Sequence, residues 1–243
     1  MGHPSTMPDI EERGADRDGA PQRSTRRLFF QLTAFEVTPP LSVDTAVRSL
    51  SSALLPLPVG SLVYHDVNHP RGLAVLAWTE SPELLVDDLH PALCRESLWS
   101  LRVRPELAML GRTYSTGFEP DLDDWLLRRP RETVRNPAWN WAVWYPLRRR
   151  GSFEQLDRKA RGEIMREHGA IGRSYGAANL AHDIRLACHG LDANDNEFVI
   201  GLVGQDLYPL SHVVQAMRST RQTSEFMEKM GPFFVGKVAW RKP

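Results

Sequence analysis

The order of secondary-structure signals along the chain is the feature that most constrains its fold. Between residues 28 and 118, apolar runs and alternations predict strands, and 3.6-residue periodicity predicts helices, in the order β-α-β-β-α-β. The same order returns between residues 139 and 243. Two such patterns predict helices that cover one face of an antiparallel sheet, and leave its other face free to pack.

The fold class expected from this order is α+β, with duplicated ferredoxin-like units that form a dimeric-type α/β barrel within one chain. Residues 1–27 are rich in charge, Pro and Gly, and they predict a disordered leader. Residues 28–118 form the N-terminal half, and residues 139–243 form the C-terminal half. A charged, Pro-punctuated connector over residues 119–138 joins them.

The composition excludes several classes of protein. Lys plus Arg and Asp plus Glu number 30 each, so the chain as a whole has no electrostatic preference for nucleic acid or for an anionic membrane. No apolar run approaches the length of a membrane span. Two cysteines cannot supply a disulfide framework and fit a reducing compartment, so we expect a cytoplasmic protein.

The stretch EIMREHGAIGRSYG places a histidine on an apolar helix face. His168, Ile171 and Tyr175 follow Ile164 at spacings that stack on one side of a helix. Two interpretations are open: His168 is a hydrogen-bonded core residue, or it is a metal ligand, the role for which imidazole is most often used.

The stretch VWYPLRRRGSF places a phenol beside a cluster of guanidinium groups. Tyr145 ends a predicted strand, and Arg148, Arg149 and Arg150 follow. Arginine binds planar anions such as carboxylates through paired N–H donors. This edge is therefore either a seat for an acidic ligand or a solvated basic loop beside a packed tyrosine.

Several motifs of the C-terminal half together resemble one known family. The elements YPLRRRGSFEQL, IMREHGAIGRSY, CHGLDANDNEFVI, MRST and PFFVGK occur in this order between Trp139 and Lys237. They are similar to those of the chlorite dismutase superfamily, nearest to its coproheme decarboxylase branch. The resemblance implies a duplicated ferredoxin-like fold, usually pentameric, that binds heme or coproheme in its C-terminal half.

By that resemblance, His168 matches the proximal iron ligand and Tyr145 matches the tyrosine that removes a hydrogen atom from a propionate. Arg149 matches a residue that grips a propionate, and Arg148 is assigned to the same cofactor-binding edge. The implied cofactor is heme b or coproheme, the implied partners are a tetrapyrrole and hydrogen peroxide, and the chain is expected to form a homo-oligomer.

Two departures from the family pattern lie near these residues. Phe153, assigned to the cofactor-binding edge, stands where the family usually has a tryptophan. The family places a carboxylate on the second nitrogen of the proximal histidine, but Arg221 or Gln222 falls at that position here. Glu225 is a third candidate, because it lies about one helical turn away.

A third departure concerns the distal side, where family members have arginine or glutamine. Counting forward from His168 predicts Ala181 at that position, and counting back from Gly190 predicts Asp183. His182, between the two, is a candidate catalytic acid or base. Chlorite dismutation is disfavoured, because neither position holds arginine and Arg185 lies further along the strand.

Three functions therefore remain open from the sequence. The first is oxidative decarboxylation of coproheme propionates with peroxide. The second is a divergent heme enzyme with peroxidase-type or specialised oxidative chemistry. The third is a heme-free structural or ligand-binding relative.

Overall fold

The structure is a computed structural model that describes residues 7–16 and 18–243. Its elements follow in chain order. The strands are β1 (Glu12–Ala15), β2 (Pro21–Ser24), β3 (Phe29–Val37), β4 (Gly60–Asp66), β5 (Gly72–Thr79), β6 (Leu101–Val103), β7 (Met109–Thr113), β8 (Trp141–Arg149), β9 (His182–Ala187), β10 (Phe198–Gly204), β11 (Met227–Met230) and β12 (Phe234–Arg241). The helices are α1 (Val43–Leu54), α2 (His90–Leu93), α3 (Arg129–Arg135), α4 (Arg158–Ala177), α5 (Leu207–Arg218) and α6 (Arg221–Phe226).

One antiparallel sheet of ten strands organises the described part of the chain. Its main path runs in the order β10, β9, β7, β3, β5, β4, β12, β8, and β8 pairs again with β10, so the sheet closes on itself. The fold is thus mixed α/β with an antiparallel sheet, as predicted. No described helix combines the length and the apolar composition that crossing a bilayer requires.

Side-chain alternation along each strand divides the core into an interior and an outer layer. Along β8, Ala142 and Trp144 point into the closed sheet, whereas Val143, Tyr145 and Leu147 lie in an apolar cluster on the outer face. We call the latter the outer cluster; its buried members are Val143, Tyr145, Leu147, Ala181, Leu202, Leu210 and Val213. Helices α4 and α5 contribute partly buried residues to this cluster. The outer face of the sheet under these two helices is therefore the candidate site.

The leader differs from its prediction as disordered. Strands β1 and β2 pair as a two-stranded sheet. The Glu12 carboxylate anchors this sheet, because it accepts hydrogen bonds from Arg112 and from the backbone N–H of Ser115, each at 2.9 Å. Polar anchoring of this kind leaves no signal in hydropathy. Residues 1–6 and 17 of the predicted leader lie outside the described residues.

The connector also differs from a simple charged linker. It contains α3, and four of its apolar residues are buried in the interior of the closed sheet: Leu122, Leu126, Leu127 and Val134. The segment between the two halves therefore contributes to the core.

Two predicted helices are shorter than their apolar patterns indicated. The apolar pattern over residues 81–101 predicts one helix, but the segment forms short turns around α2, because Pro91 has no N–H and cannot continue a regular helix. The pattern over residues 207–227 likewise predicts one helix, but the segment divides into α5 and α6. Ser219 and Thr220 lie at the break, and their hydroxyl groups donate to backbone carbonyls of the preceding turn, which competes with continued helix.

Close packing of the interior predicts a steric effect at Gly201. A Cβ atom built on Gly201 would lie 2.5 Å from ring carbons of Trp144, a fully buried residue that cannot move away easily. We expect Gly201→Ala to lower the free energy of unfolding by about 1–3 kcal/mol. Urea denaturation measures this change. Gly151→Ala is the matched control, since no heavy atom lies within 4 Å of its added methyl group, and equal losses in both variants would contradict the steric explanation.

Candidate functional site

Tyr145 lies at the centre of the outer cluster. Only 5% of its surface is exposed, and its ring stacks on Phe233 with ring centroids 4.7 Å apart. Its hydroxyl makes no hydrogen bond to any residue in the described ranges 7–16 and 18–243. Burial, reinforced by the negative charge of Asp183, raises the pKa of Tyr145 well above its usual value, so the phenolate is disfavoured at this site.

The strand register places a charged pair on the same sheet face as this tyrosine. Ile200 of β10 is paired with Tyr145 on one side and with Arg185 on the other. Asp183 lies two residues before Arg185 on the same face of β9, and the two side chains form an ion pair at 3.1 Å. The face of the sheet that carries the phenol therefore also carries a carboxylate and a guanidinium group.

Helix α4 brings His168 to this face. Asp157 caps the helix by accepting from the backbone N–H of Ala160 at 2.8 Å. The apolar side predicted from the sequence faces the sheet, since Ile164 is buried, and Ile171 and Tyr175 pack on the outer cluster. His168 lies between them in sequence and is half-buried.

Only one of the two ring nitrogens of His168 has a hydrogen-bond partner in the described structure. Its Nδ1 atom lies 3.2 Å from Thr220 Oγ1, and within the described residues Nε2 has no hydrogen-bond partner. Burial, assisted by the positive charge of Arg185, lowers the pKa of His168 and favours the neutral ring. A neutral imidazole with a free nitrogen is the form that binds a metal ion.

The partner of Nδ1 is none of the three residues that the sequence indicated, Arg221, Gln222 and Glu225. Glu225 instead forms an exposed ion pair with Arg221 at 3.3 Å. Gln222 is buried, and its Oε1 atom lacks a partner in the described part of the chain. Thr220 precedes the two counted positions, and no local feature of the sequence marked it as a partner of His168.

The predicted anion-gripping edge is already paired within the protein. The Arg149 guanidinium lies over the rings of Phe153 and Phe198, at 4.5 and 4.8 Å, and its side chain is 14% exposed. It also forms ion pairs with Glu197 at 3.5 Å and with Glu154 at 3.4 Å. Phe153 therefore serves as a packing partner for Arg149, and a ligand carboxylate would have to share this guanidinium with two glutamates.

Arg148 is likewise engaged by a residue of the protein. Its guanidinium donates to the backbone carbonyl and the carboxylate of Asp195. This pairing leaves it less free for a ligand than the sequence predicted.

The three candidates for the distal position, Ala181, His182 and Asp183, do not all lie on the same side of the sheet. His182 pairs with Val203, an interior residue, and its ring stacks on Trp139 at 3.7 Å. It is therefore on the opposite face of β9 from Tyr145, which contradicts its predicted catalytic place. Ala181 is buried in the outer cluster and offers no polar group. Asp183 is the one of the three predicted residues whose polar side chain faces the site, and Arg185, which the sequence placed too far along the strand, lies on the same face.

The chemistry of this region fits an iron tetrapyrrole. A long, mostly polar helix covers the sheet, and several apolar side chains on and above this face are only partly buried: Trp141, Ile171, Phe198, Ile200, Met217 and Phe233. Apolar walls with a few convergent polar groups are typical of cofactor sites. The free Nε2 of His168 is the atom that would bind the iron.

Comparison with known proteins identifies a family match and several chains of similar fold. Residues 125–239 match the family described as chlorite dismutase. A heme-binding protein from Thermus thermophilus is 20% identical and superposes with a TM-score of 0.71, over 88% of this chain and 91% of that chain. Chlorite dismutase from Candidatus Nitrospira defluvii, in complex with imidazole, is 14% identical with a TM-score of 0.65, over 89% of this chain and 93% of that chain.

A mutant of the latter enzyme in complex with cyanide is 15% identical, with a TM-score of 0.66 over 89% of this chain and 92% of that chain. At these identities the superpositions establish a shared fold, and the family match covers the part of the chain that carries His168 and Tyr145. Residues 125–239 of this chain therefore match the chlorite dismutase family, and most of the chain shares the fold of the proteins compared.

Proposed function

We propose that the outer face of the C-terminal half binds an iron tetrapyrrole, heme b or coproheme, with His168 Nε2 as the iron ligand. The observation that carries the proposal is the hydrogen bonding of the two ring nitrogens of His168. Its Nδ1 atom lies 3.2 Å from Thr220 Oγ1, its Nε2 atom has no hydrogen-bond partner in the described structure, and it lies on the helix whose Ile171 and Tyr175 pack on the outer cluster. The description of the similarly folded Thermus thermophilus protein as heme-binding supports a heme site in this fold.

The activity that fits best is that of a heme-dependent oxidoreductase, in the form of peroxide-dependent decarboxylation of coproheme propionates. The bound group would supply oxidising equivalents from hydrogen peroxide. Tyr145 would act as the redox phenol, because burial keeps its proton on oxygen and a neutral phenol can lose and regain a hydrogen atom. Asp183 and Arg185 would provide a proton acceptor and a positive charge on the same face.

A second candidate is a peroxidase-type or otherwise specialised oxidation of a different substrate. It is favoured by the pairing of Arg149 with Glu154 and Glu197, and of Arg148 with Asp195. Coproheme carries several carboxylates, and arginines that are already neutralised bind additional carboxylates weakly. This candidate needs only the iron ligand and the polar pair on β9.

Absorption spectroscopy of the purified full chain tests the proposal. We expect a Soret band when the protein is titrated with ferric heme b or ferric coproheme. Absence of a band with both would leave the third function, a heme-free ligand-binding relative. With coproheme bound, release of carbon dioxide on adding peroxide favours decarboxylation, whereas oxidation of a phenolic dye without carbon dioxide favours the second candidate.

We further infer that residues 28–118 and 139–243 are repeated ferredoxin-like halves, and that the chain works as a homo-oligomer. The first inference is supported by the recurrence of strand, helix, two strands and helix in both halves. The second has its support in the family resemblance, and sedimentation of the purified protein tests it.

A further inference from the structure

Thr220 occupies an unusual position for its side chain. It is the residue before α6, and its backbone is extended, with φ −71° and ψ 151°. A threonine there normally accepts from a backbone N–H of the first helical turn. In the described structure its side chain makes no such capping bond, although the residue is only 1% exposed. The Thr220 hydroxyl therefore makes hydrogen bonds other than the usual helix cap.

The contacts of this hydroxyl define its role. Thr220 Oγ1 lies 2.8 Å from the backbone carbonyl of Met217, to which it donates, and 3.2 Å from Nδ1 of His168. The hydroxyl of Thr223 is further away, at 3.4 Å. A hydroxyl has one proton to donate and lone pairs to accept with. Because the hydroxyl donates its one proton to the Met217 carbonyl, Oγ1 accepts from His168, so Nδ1 carries the imidazole proton and Nε2 keeps its lone pair.

A second link holds the two residues together. The carboxylate of Glu167, the neighbour of His168 on α4, accepts from the backbone N–H of Arg221 at 3.3 Å. Arg221 follows Thr220 directly. The start of α6 is thus attached to α4 at adjacent positions, which fixes the distance between the threonine hydroxyl and the imidazole.

We propose that Thr220 is the positioning residue of His168, and that it orients the ring and selects the Nδ1–H tautomer with a neutral acceptor. The proposal rests on the proposed function, in which Nε2 binds iron. A hydroxyl polarises the distant N–H less than a carboxylate does, so the ligand remains a neutral imidazole. The ferric/ferrous midpoint potential is therefore higher than with a carboxylate at this position.

Nuclear magnetic resonance of the cofactor-free full chain tests the tautomer directly. With ¹⁵N-labelled histidine, and with the signals of His168 assigned by His168→Gln, the wild type shows the Nδ1–H tautomer. Thr220→Val, which removes the hydroxyl and keeps the shape, shifts the population toward Nε2–H. Thr220→Ser retains the hydroxyl and restores the wild-type pattern. An unchanged tautomer in Thr220→Val would overturn the proposal.

The loaded protein provides the second readout. We expect Thr220→Val to bind heme about 10- to 100-fold more weakly, which is typical of losing a hydrogen-bond partner of a metal ligand. Thr220→Asp lowers the midpoint potential and raises the Fe(II)–His stretching frequency, and Thr220→Ser matches the wild type. If Thr220→Asp does not fold, the difference in heme affinity between Thr220→Val and Thr220→Ser still tests the proposal.

Gln222→Leu separates Thr220 from the neighbouring candidate acceptor. This variant is expected to keep the wild-type tautomer and potential, because the Gln222 side chain makes no hydrogen bond to His168 in the described structure. A change in Gln222→Leu without one in Thr220→Val would assign the acceptor role to Gln222 and overturn the proposal. Failure of the wild type to bind heme, with the tautomer result intact, would instead reject the proposed function.

Discussion

Replacing His168 by alanine is expected to abolish the Soret band of the histidine-ligated protein, with heme affinity lowered by more than about 100-fold. Loss of a hydrogen-bond partner alone costs a metal site about 10- to 100-fold, and loss of the ligand itself should cost more. The fold should survive, because His168 is only half-buried on α4 and alanine is the best helix former. Absorption titration and thermal unfolding measure the two effects.

His182→Ala is the matched control for this substitution. Its ring stacks on Trp139, on the opposite face of β9 from the proposed site. Heme binding should therefore be retained in this variant. A lost band in His182→Ala together with a retained band in His168→Ala would show that the ligand was assigned to the wrong histidine.

Replacing Tyr145 by phenylalanine is expected to separate binding from chemistry. The hydroxyl has no hydrogen-bond partner in the described structure, and the ring keeps its stacking on Phe233. Tetrapyrrole affinity should then stay within about tenfold, which corresponds to ~1.4 kcal/mol. Decarboxylation of coproheme should stop, because phenylalanine has no O–H hydrogen atom to transfer; chromatography of the porphyrin products measures it.

Tyr208→Phe is the corresponding control, since Tyr208 is an exposed residue of α5. Its turnover should equal that of the wild type. If Tyr145→Phe also turns over at the wild-type rate, Tyr145 has a packing role only, and the redox role assigned to it must be abandoned.

Local patterns in the sequence were enough to predict most elements. The largely apolar run over residues 72–79 predicts a strand and forms β5; Ser42 or Asp44 is indicated as the start of α1, and Ser42 caps it by accepting from the backbone N–H of Thr45. The apolar face of α4 that carries His168 was also predicted correctly. These features depend on residues within a few positions of one another, so periodicity and capping preferences are sufficient.

The partners of the site residues could not be predicted in this way. His168 and Thr220 are 52 positions apart, and Arg149 and Glu197 are 48 apart. Such contacts depend on how α4, α6 and the β9–β10 loop dock, which no local pattern encodes. Thr220 was therefore not among the partners that the sequence indicated for His168.

By itself, the sequence determined the order of strands and helices, the family resemblance, and the helix face on which His168 lies. Only the tertiary structure decided that Asp183 and Arg185 share a face with Tyr145 while His182 lies on the other, and that Arg149 is paired with glutamates. The physical reason is the two-residue period of a strand: a shift of one position moves every side chain to the other face, and pairing with β10 sets that position.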